Sequence, residues 1–88
     1  MYNVKISKTV YKFIKSRPLK FREIIFEAFD KIAANPFDSS LDTKRLKNKE
    51  NHYRLRIGKY RILFEILKDE VLIYFYNADS RGDVYKKR

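Results

Sequence analysis

The chain has 88 residues, 44% of them hydrophobic, and its 21 Lys and Arg against 11 Asp and Glu give a formal net charge of +10. No Cys is present, which excludes disulfides and cysteine–zinc sites. No apolar run approaches the ~20 residues of a membrane-spanning helix, and the N-terminus lacks the pattern of a signal peptide. We therefore expect one small soluble domain in the cytoplasm, without membrane contact.

The first part of the chain is predicted to form a strand and two helices. Residues 2–6 alternate apolar and polar side chains, which indicates a half-buried strand. Ser7 can then cap a helix over residues 8–16, and Pro18 suits the first turn of a second helix that ends at Asn35. Each helix is expected to have one apolar face, and the two should form an antiparallel pair.

The second part is predicted to form an irregular polar loop over residues 37–51 and then a three-strand antiparallel meander. Residues 52–57 and 60–67 alternate, with Gly58 at the first central position of a two-residue type II′ turn. Residues 71–76 supply the third strand. The predicted fold class is α+β, with the helices packed on one face of a small twisted sheet that the N-terminal strand joins.

The two-residue turn assigns every residue of the hairpin to one face of the sheet. Arg56 is expected opposite Arg61 with Arg54 beside them, on the face away from the helices. The other face is expected to hold Tyr53, Leu55, Ile57, Tyr60, Ile62, Phe64 and Ile66. A two-residue turn at residues 68–69 would also place Tyr76 beside Arg61, whereas a three-residue turn would put it on the opposite face.

Cationic residues are concentrated in one stretch. Residues 44–61 hold eight Lys and Arg against a single acid, Glu50, and so carry +7 of the net +10. Such a cluster attracts polyphosphate, and three guanidinium groups on one open sheet face predict a phosphate-binding site. The alternative is a solvated ladder in which Glu65 and a loop acid neutralise the arginines.

Two segments resemble sequences of the RelE/ParE toxin superfamily. Residues 53–66, preceded by Leu46, are similar to the family's basic hairpin with its Gly-x-Tyr-Arg pattern. Residues 80–85, Ser-Arg-Gly-Asp-Val-Tyr, are similar to the family's terminal Arg-x-x-x-Tyr signature. The resemblance covers most of the chain and implies a RelE-like fold in a single domain, residues 1–88.

The resemblance implies an activity and partners. RelE-like members occupy the decoding site (A site) of the ribosome and cleave the bound messenger RNA, through attack of a 2′-hydroxyl on the adjacent phosphate, with no metal or other cofactor. It also implies an acidic RelB-like antitoxin that neutralises the toxin. A toxin–antitoxin heterotetramer is one assembly that the resemblance allows.

Residue roles follow from the same resemblance. Arg61 and Arg81 would stabilise the charge on the phosphorane, and Tyr85 would stack on a base or assist proton transfer. Arg54 and Arg56 stand where several relatives carry lysines with base and electrostatic roles. The residues expected to bind RNA or the ribosome are Lys44, Arg45, Lys47, Lys49, Lys59, Lys86, Lys87 and Arg88.

The general base is left open by these positions, because an arginine stays charged. Ser80 stands where many relatives have a His, so a His–Glu acid–base pair is not visible. Lys44, Lys47 and Lys49 are reserve candidates for the base. His52, the only histidine, precedes the strand and is expected to lie outside the catalytic set.

Two other functions compete with cleavage. ParE-like members share the fold, inhibit DNA gyrase and are not nucleases, but they generally lack the catalytic set of Arg61, Arg81 and Tyr85. A non-catalytic nucleic-acid-binding module would explain the charge equally well and needs no base.

Overall fold

The structure, a computed structural model, describes residues 1–80. Its five strands form one sheet in the order β1-β5-β4-β3-β2, with β1 parallel to β5 and the other pairs antiparallel. In chain order the elements are β1 (Asn3–Ile6), α1 (Lys8–Lys15), α2 (Leu19–Ala34), β2 (Asp42–Arg45), β3 (His52–Ile57), β4 (Tyr60–Leu67), a 3₁₀ turn (Lys68–Glu70) and β5 (Leu72–Ser80).

The helices begin and end close to the predicted residues. Ser7 caps α1, where its Oγ accepts a hydrogen bond from the backbone N–H of Val10 at 3.1 Å. The same hydroxyl donates to the backbone carbonyl of Tyr76 at 3.0 Å, which joins the start of α1 to β5. Pro18 immediately precedes α2, and the N–H of Asn35 closes its last turn.

Both helices bury their apolar faces against one face of the sheet. The ring of Phe29 in α2 stacks on Phe75 in β5, with centroids 3.7 Å apart. The core residues are Val10, Ile14, Ile25, Ala28, Phe29, Ile32, Leu55, Ile62, Phe64, Ile66, Ile73 and Phe75. Neither helix in residues 1–80 is long and apolar enough to cross a membrane.

The hairpin of β3 and β4 has the predicted register. Ile57 lies opposite Tyr60 and Arg56 opposite Arg61, across a two-residue turn. A type II′ turn requires a positive φ at its first central residue and a negative φ at its second. Gly58, the first, has a φ of +60°, and the φ of Lys59, the second, is not positive.

The prediction of an irregular loop over residues 37–51 is wrong in its middle. Residues Asp42–Arg45 form β2, which pairs antiparallel with β3, so the meander has four strands. The segment is Asp-Thr-Lys-Arg and has no apolar alternation. Its pairing depends on backbone hydrogen bonds to the edge of β3.

Neither turn length considered for the next connection is correct, because four residues, 68–71, separate β4 from β5. Val71 takes a left-handed conformation with φ +50°, which is uncommon for a β-branched residue. The register then shifts between Leu63 and Phe64, which leaves Tyr76 without a direct partner on β4. Consequently Asp79, and not Tyr76, lies opposite Arg61.

Substitution of Ser7 tests the hydrogen bonds that cap α1 and connect it to β5. Ser7→Ala removes the helix cap and the bond to the Tyr76 carbonyl, and should lower the free energy of unfolding by about 1–2 kcal/mol. Urea denaturation measures the change. Ser39→Ala, at an exposed position, should stay within about 0.5 kcal/mol of wild type. Equal effects of the two changes would contradict the role given to Ser7.

Candidate functional site

The sheet face away from the helices carries the predicted arginines. Arg54 and Arg56 in β3 and Arg61 in β4 share this face, and Lys44 in β2 lies opposite Arg54. We call this surface the open face. Its register positions include Asp42, Lys44, His52, Arg54, Arg56, Arg61, Leu63, Glu65, Asn77 and Asp79.

Two adjoining depressions mark the centre of the open face. One, of about 250 Å³, is lined by Lys44, Arg45, Leu46, Lys47, Arg54 and Arg61. The other, of about 150 Å³, is lined by Leu46, Arg61, Leu63, Asn77, Ala78 and Asp79. Leu46 and Arg61 belong to both, so Arg61 stands between a strongly cationic region and a more neutral one.

A third depression, at the β4–β5 turn, is lined by Glu65, Asp69 and Glu70, a composition that does not suit an anion.

Each of the three arginines has a carboxylate partner. Asp42 accepts hydrogen bonds from Arg54 at 3.1 Å and from Arg56 Nε at 2.8 Å. Arg61 Nη2 lies 3.4 Å from a carboxylate oxygen of Asp79. The neutralised ladder considered from the sequence therefore describes part of the face, although Asp42 and Asp79 supply the acids and Glu65 does not.

These ion pairs are weak and leave the arginines available to another anion. The side chains of Asp42 and Asp79 are 46% and 45% exposed, and pairs this open to solvent contribute roughly 0–1 kcal/mol each. A phosphodiester can displace such a partner, because its two non-bridging oxygens accept from a guanidinium group in the same bidentate geometry as a carboxylate. Arg54 Nε is buried, and no hydrogen-bond partner for it is found within residues 1–80.

The other predicted cations lie around this centre. Lys47 lines the cationic depression with Arg45, while Lys49 is exposed in the loop before β3. Lys59 occupies the hairpin turn, with its Nζ 5.7 Å from the centroid of the Tyr60 ring. The predicted residues Arg81, Tyr85, Lys86, Lys87 and Arg88 lie outside the described residues.

The structure adds a group of side chains that the sequence analysis did not identify. His52 Nδ1 lies 2.9 Å from the Tyr76 hydroxyl, and His52 Nε2 lies 3.7 Å from a carboxylate oxygen of Glu65. Burial raises the pKa of Tyr76, and the charge of Glu65 raises this pKa further. The predicted hairpin register already places His52 opposite Glu65, but the contact with Tyr76 depends on the four-residue turn and the register shift.

A metal centre finds no support in the described part of the chain. Within residues 1–80, no group of three His, Cys, Asp or Glu side chains is arranged to hold a metal ion. The described side chains of the open face offer guanidinium and ammonium groups that can bind an anion, with an imidazole–phenol–carboxylate cluster beside them.

Substitution of Asp42 tests whether the open face binds phosphates through Arg54 and Arg56. Asp42→Asn removes the carboxylate that holds both guanidinium groups, and should tighten binding of a single-stranded oligoribonucleotide about fivefold. Fluorescence anisotropy over a range of salt concentrations measures the affinity. Asp69→Asn, at the β4–β5 turn, makes the same change in net charge. If both variants gain equally, only the total charge matters and the proposed contact is wrong.

Comparison of the sequence and of the structure with known proteins leads in both cases to type II toxins. A family model described as the ParE toxin of a type II toxin–antitoxin system, parDE, matches residues 4–85. The chain is 36% identical over 90 residues to the Methanocaldococcus jannaschii protein named RelE1, covering 97% of this chain and 96% of that protein. It is also 36% identical over 86 residues to Toxin RelE3 of the same organism, covering 93% of each.

Solved structures show the same fold. The archaeal RelE–RelB complex from Pyrococcus horikoshii contains a chain that superposes with a TM-score of 0.81 at 27% identity, over 92% of this chain and 96% of that one. The isolated E. coli RelE toxin superposes with a TM-score of 0.77 at 14% identity, over 99% and 94%. With its helices on one face of the sheet and its matches spanning nearly the whole sequence, the chain belongs to the RelE/ParE superfamily of type II toxin–antitoxin toxins.

Proposed function

We propose that this protein is a ribosome-dependent endoribonuclease that cleaves messenger RNA in the decoding site (A site) of the ribosome. One observation carries the proposal: in the fold of RelE toxins, Lys44, Arg54 and Arg61 line one depression of the open sheet face, and Arg56 lies beside them on that face. The sequence identity to RelE toxins favours the same activity.

The arginines suit the charge that develops during cleavage. Attack of the 2′-oxygen on the adjacent phosphate produces a phosphorane with more negative charge than the starting diester. Arg54 and Arg61 line the same depression as diagonal neighbours on adjacent strands, and such neighbours lie about 7–8 Å apart. Two guanidinium groups at this spacing can hold one phosphate, and they stabilise the transition state more than the ground state.

The shape of the open face supports the proposed dependence on the ribosome. The two depressions are small, and their arginines are paired with exposed carboxylates. Such a surface attracts RNA but has little means of forcing the 2′-oxygen, phosphorus and leaving oxygen into line. A messenger held in the decoding site is already ordered, so the ribosome supplies the orientation and the toxin supplies the charge.

An acidic antitoxin is the proposed regulatory partner. The net charge of +10 and the cationic open face favour an anionic chain, and relatives are found in RelE–RelB complexes. Exposed apolar residues on α2, among them Leu19 and Ile24, offer a second contact for a segment that folds on binding. An antitoxin that covers the open face would keep the toxin from the ribosome.

The C-terminal residues complete the proposed active site. Arg81 is assigned to the phosphorane charge, and Tyr85 to base stacking or proton transfer, on the basis of the family's Arg-x-x-x-Tyr signature. Lys86, Lys87 and Arg88 are assigned to RNA or ribosome contacts. These assignments remain predictions from the sequence.

Cleavage of a messenger programmed on ribosomes, with a defined codon in the A site, tests the proposal. Wild-type protein should cut within that codon, and Arg61→Ala should lower the rate about 100-fold or more, because it removes one donor to the developing charge. Arg81→Ala tests the second assigned arginine. Lys20→Ala, exposed on α2, removes a charge outside the open face and should cleave like wild type. Absence of cleavage by folded wild-type protein would refute the ribonuclease assignment.

Inhibition of DNA gyrase is the second candidate function, because the matching family model is that of the ParE toxins. A supercoiling assay with purified gyrase separates the two candidates. A protein that cleaves on the ribosome and leaves supercoiling unaffected supports the first candidate. A protein that blocks supercoiling and does not cleave supports the second.

A further inference from the structure

Three side chains from three adjacent strands meet at one end of the open face. His52 comes from β3, Glu65 from β4 and Tyr76 from β5. The Tyr76 hydroxyl lies 2.9 Å from His52 Nδ1, and the two rings meet edge to face with centroids 5.4 Å apart. His52 Nε2 lies 3.7 Å from Glu65 Oε2. We call these three residues the His52 cluster.

The charges around the imidazole determine which nitrogen carries the proton. The Glu65 carboxylate beside Nε2 favours a proton on that nitrogen, which leaves the lone pair of Nδ1 free to accept. In that tautomer the Tyr76 hydroxyl donates to Nδ1, and burial and the charge of Glu65, which both raise the pKa of Tyr76, favour its protonated form. The cluster is therefore oriented to receive a proton from the side of Tyr76.

The His52 cluster lies within reach of the phosphate site and remains partly open to solvent. His52 precedes Arg54 by two residues on the same face of β3, which corresponds to about 7 Å along a strand. The side chains of His52 and Glu65 are 22% and 33% exposed. A ribose next to a phosphate held by Arg54 can therefore approach the Tyr76 hydroxyl.

Other charged and titratable groups surround the cluster. Tyr74 of β5 lies opposite Glu65, with its ring centroid 6.1 Å from that of Tyr76. Arg54 is the next residue of β3 on the open face, and Lys47 and Glu50 belong to the loop that leads into β3. His52 is the only histidine of the chain, and imidazole is the side chain that ordinarily changes charge between pH 5 and 8.

We propose that His52 is the proton acceptor of the cleavage reaction, reached through the Tyr76 hydroxyl, and that Glu65 positions and stabilises the resulting imidazolium. This inference rests on the proposed ribonuclease function and fills the role that Arg54 and Arg56, which stay charged, cannot take.

The proton transfers balance in one step. The 2′-hydroxyl of the messenger passes its proton to the Tyr76 oxygen while the phenol proton passes to His52 Nδ1. The O2′–P bond forms and the P–O5′ bond breaks, with the electron pair of the broken bond going to O5′. Until its proton is released, the imidazolium, with both nitrogens protonated, faces the Glu65 carboxylate. Solvent water protonates O5′, and the hydroxide that this leaves takes up the proton of the imidazolium, which restores neutral His52.

A purely structural role would require only that His52 and Tyr76 stay hydrogen-bonded. A glutamine at position 52 can accept a bond from the Tyr76 hydroxyl but cannot take up its proton. His52→Gln therefore separates the two roles. Tyr76→Phe removes the relaying hydroxyl and keeps the ring, and Tyr11→Phe, on the exposed surface of α1, is the matched control.

The test is the single-turnover rate of A-site cleavage on programmed ribosomes between about pH 6 and pH 8.5. Wild type should show a rate that rises with pH and then levels. His52→Gln and Tyr76→Phe should each lose about 100-fold or more and lose the rising limb, while Tyr11→Phe should match wild type. Glu65→Gln should lower the rate, because loss of the carboxylate makes the imidazolium less stable.

Nitrogen NMR of the free protein gives a readout independent of cleavage, since a single histidine gives an unambiguous signal. The proton of the neutral imidazole should reside on Nε2, and Nδ1 should show the signal of a nitrogen that accepts a hydrogen bond. The same spectra show whether each variant is folded. If His52→Gln does not fold, Tyr76→Phe and Glu65→Gln carry the test.

Two negative results have different meanings. If wild type cleaves and the folded His52→Gln and Tyr76→Phe variants cleave within about threefold of it with the same pH profile, the His52 proposal is overturned and the ribonuclease function stands. If folded wild-type protein does not cleave at any pH, the ribonuclease function is refuted and the His52 proposal falls with it.

Discussion

The register of the β3–β4 hairpin is the constraint on which the site depends. The turn at Gly58 fixes Arg56 opposite Arg61, and the same alternation puts Leu55 and Ile62 under the helices. A slip of one residue would turn the arginines into the core and the apolar side chains to solvent. Burial of the apolar face therefore keeps the cations exposed on the opposite face, because the two faces belong to the same strands.

Crowding of cations on one face has a cost that the fold partly offsets. Directly opposed arginines repel each other, and each of the three arginines has a carboxylate from a neighbouring strand beside it. Asp42 bridges two guanidinium groups and Asp79 meets the third. Both acids are exposed, so they lower the repulsion in the free protein and still leave the guanidinium groups available to a phosphate.

The sequence predicted the helices, the hairpin and its two faces because each follows from local periodicity and from capping or turn residues such as Ser7 and Gly58. It did not predict β2, whose residues carry no apolar pattern and pair through the backbone. It also missed the β4–β5 register, because a left-handed Val71 is unfavourable locally and tertiary pairing overrides that preference. The partners of Arg54 and Arg61, and the contact between His52 and Tyr76, depend on these two pairings and were missed for that reason.

The bond between Ser7 and Tyr76 spans 69 positions of the chain, and β1 lies beside β5 in the sheet. During synthesis, α1 and α2 leave the ribosome long before the strand against which α1 is anchored. Contacts of such long sequence separation form late, because a large loop must close before they contribute. The nascent chain therefore lacks both its anchored first helix and the Tyr76 side of the open face until β5 has been made. A protein with this topology cannot assemble its complete open face while the earlier strands are still being translated.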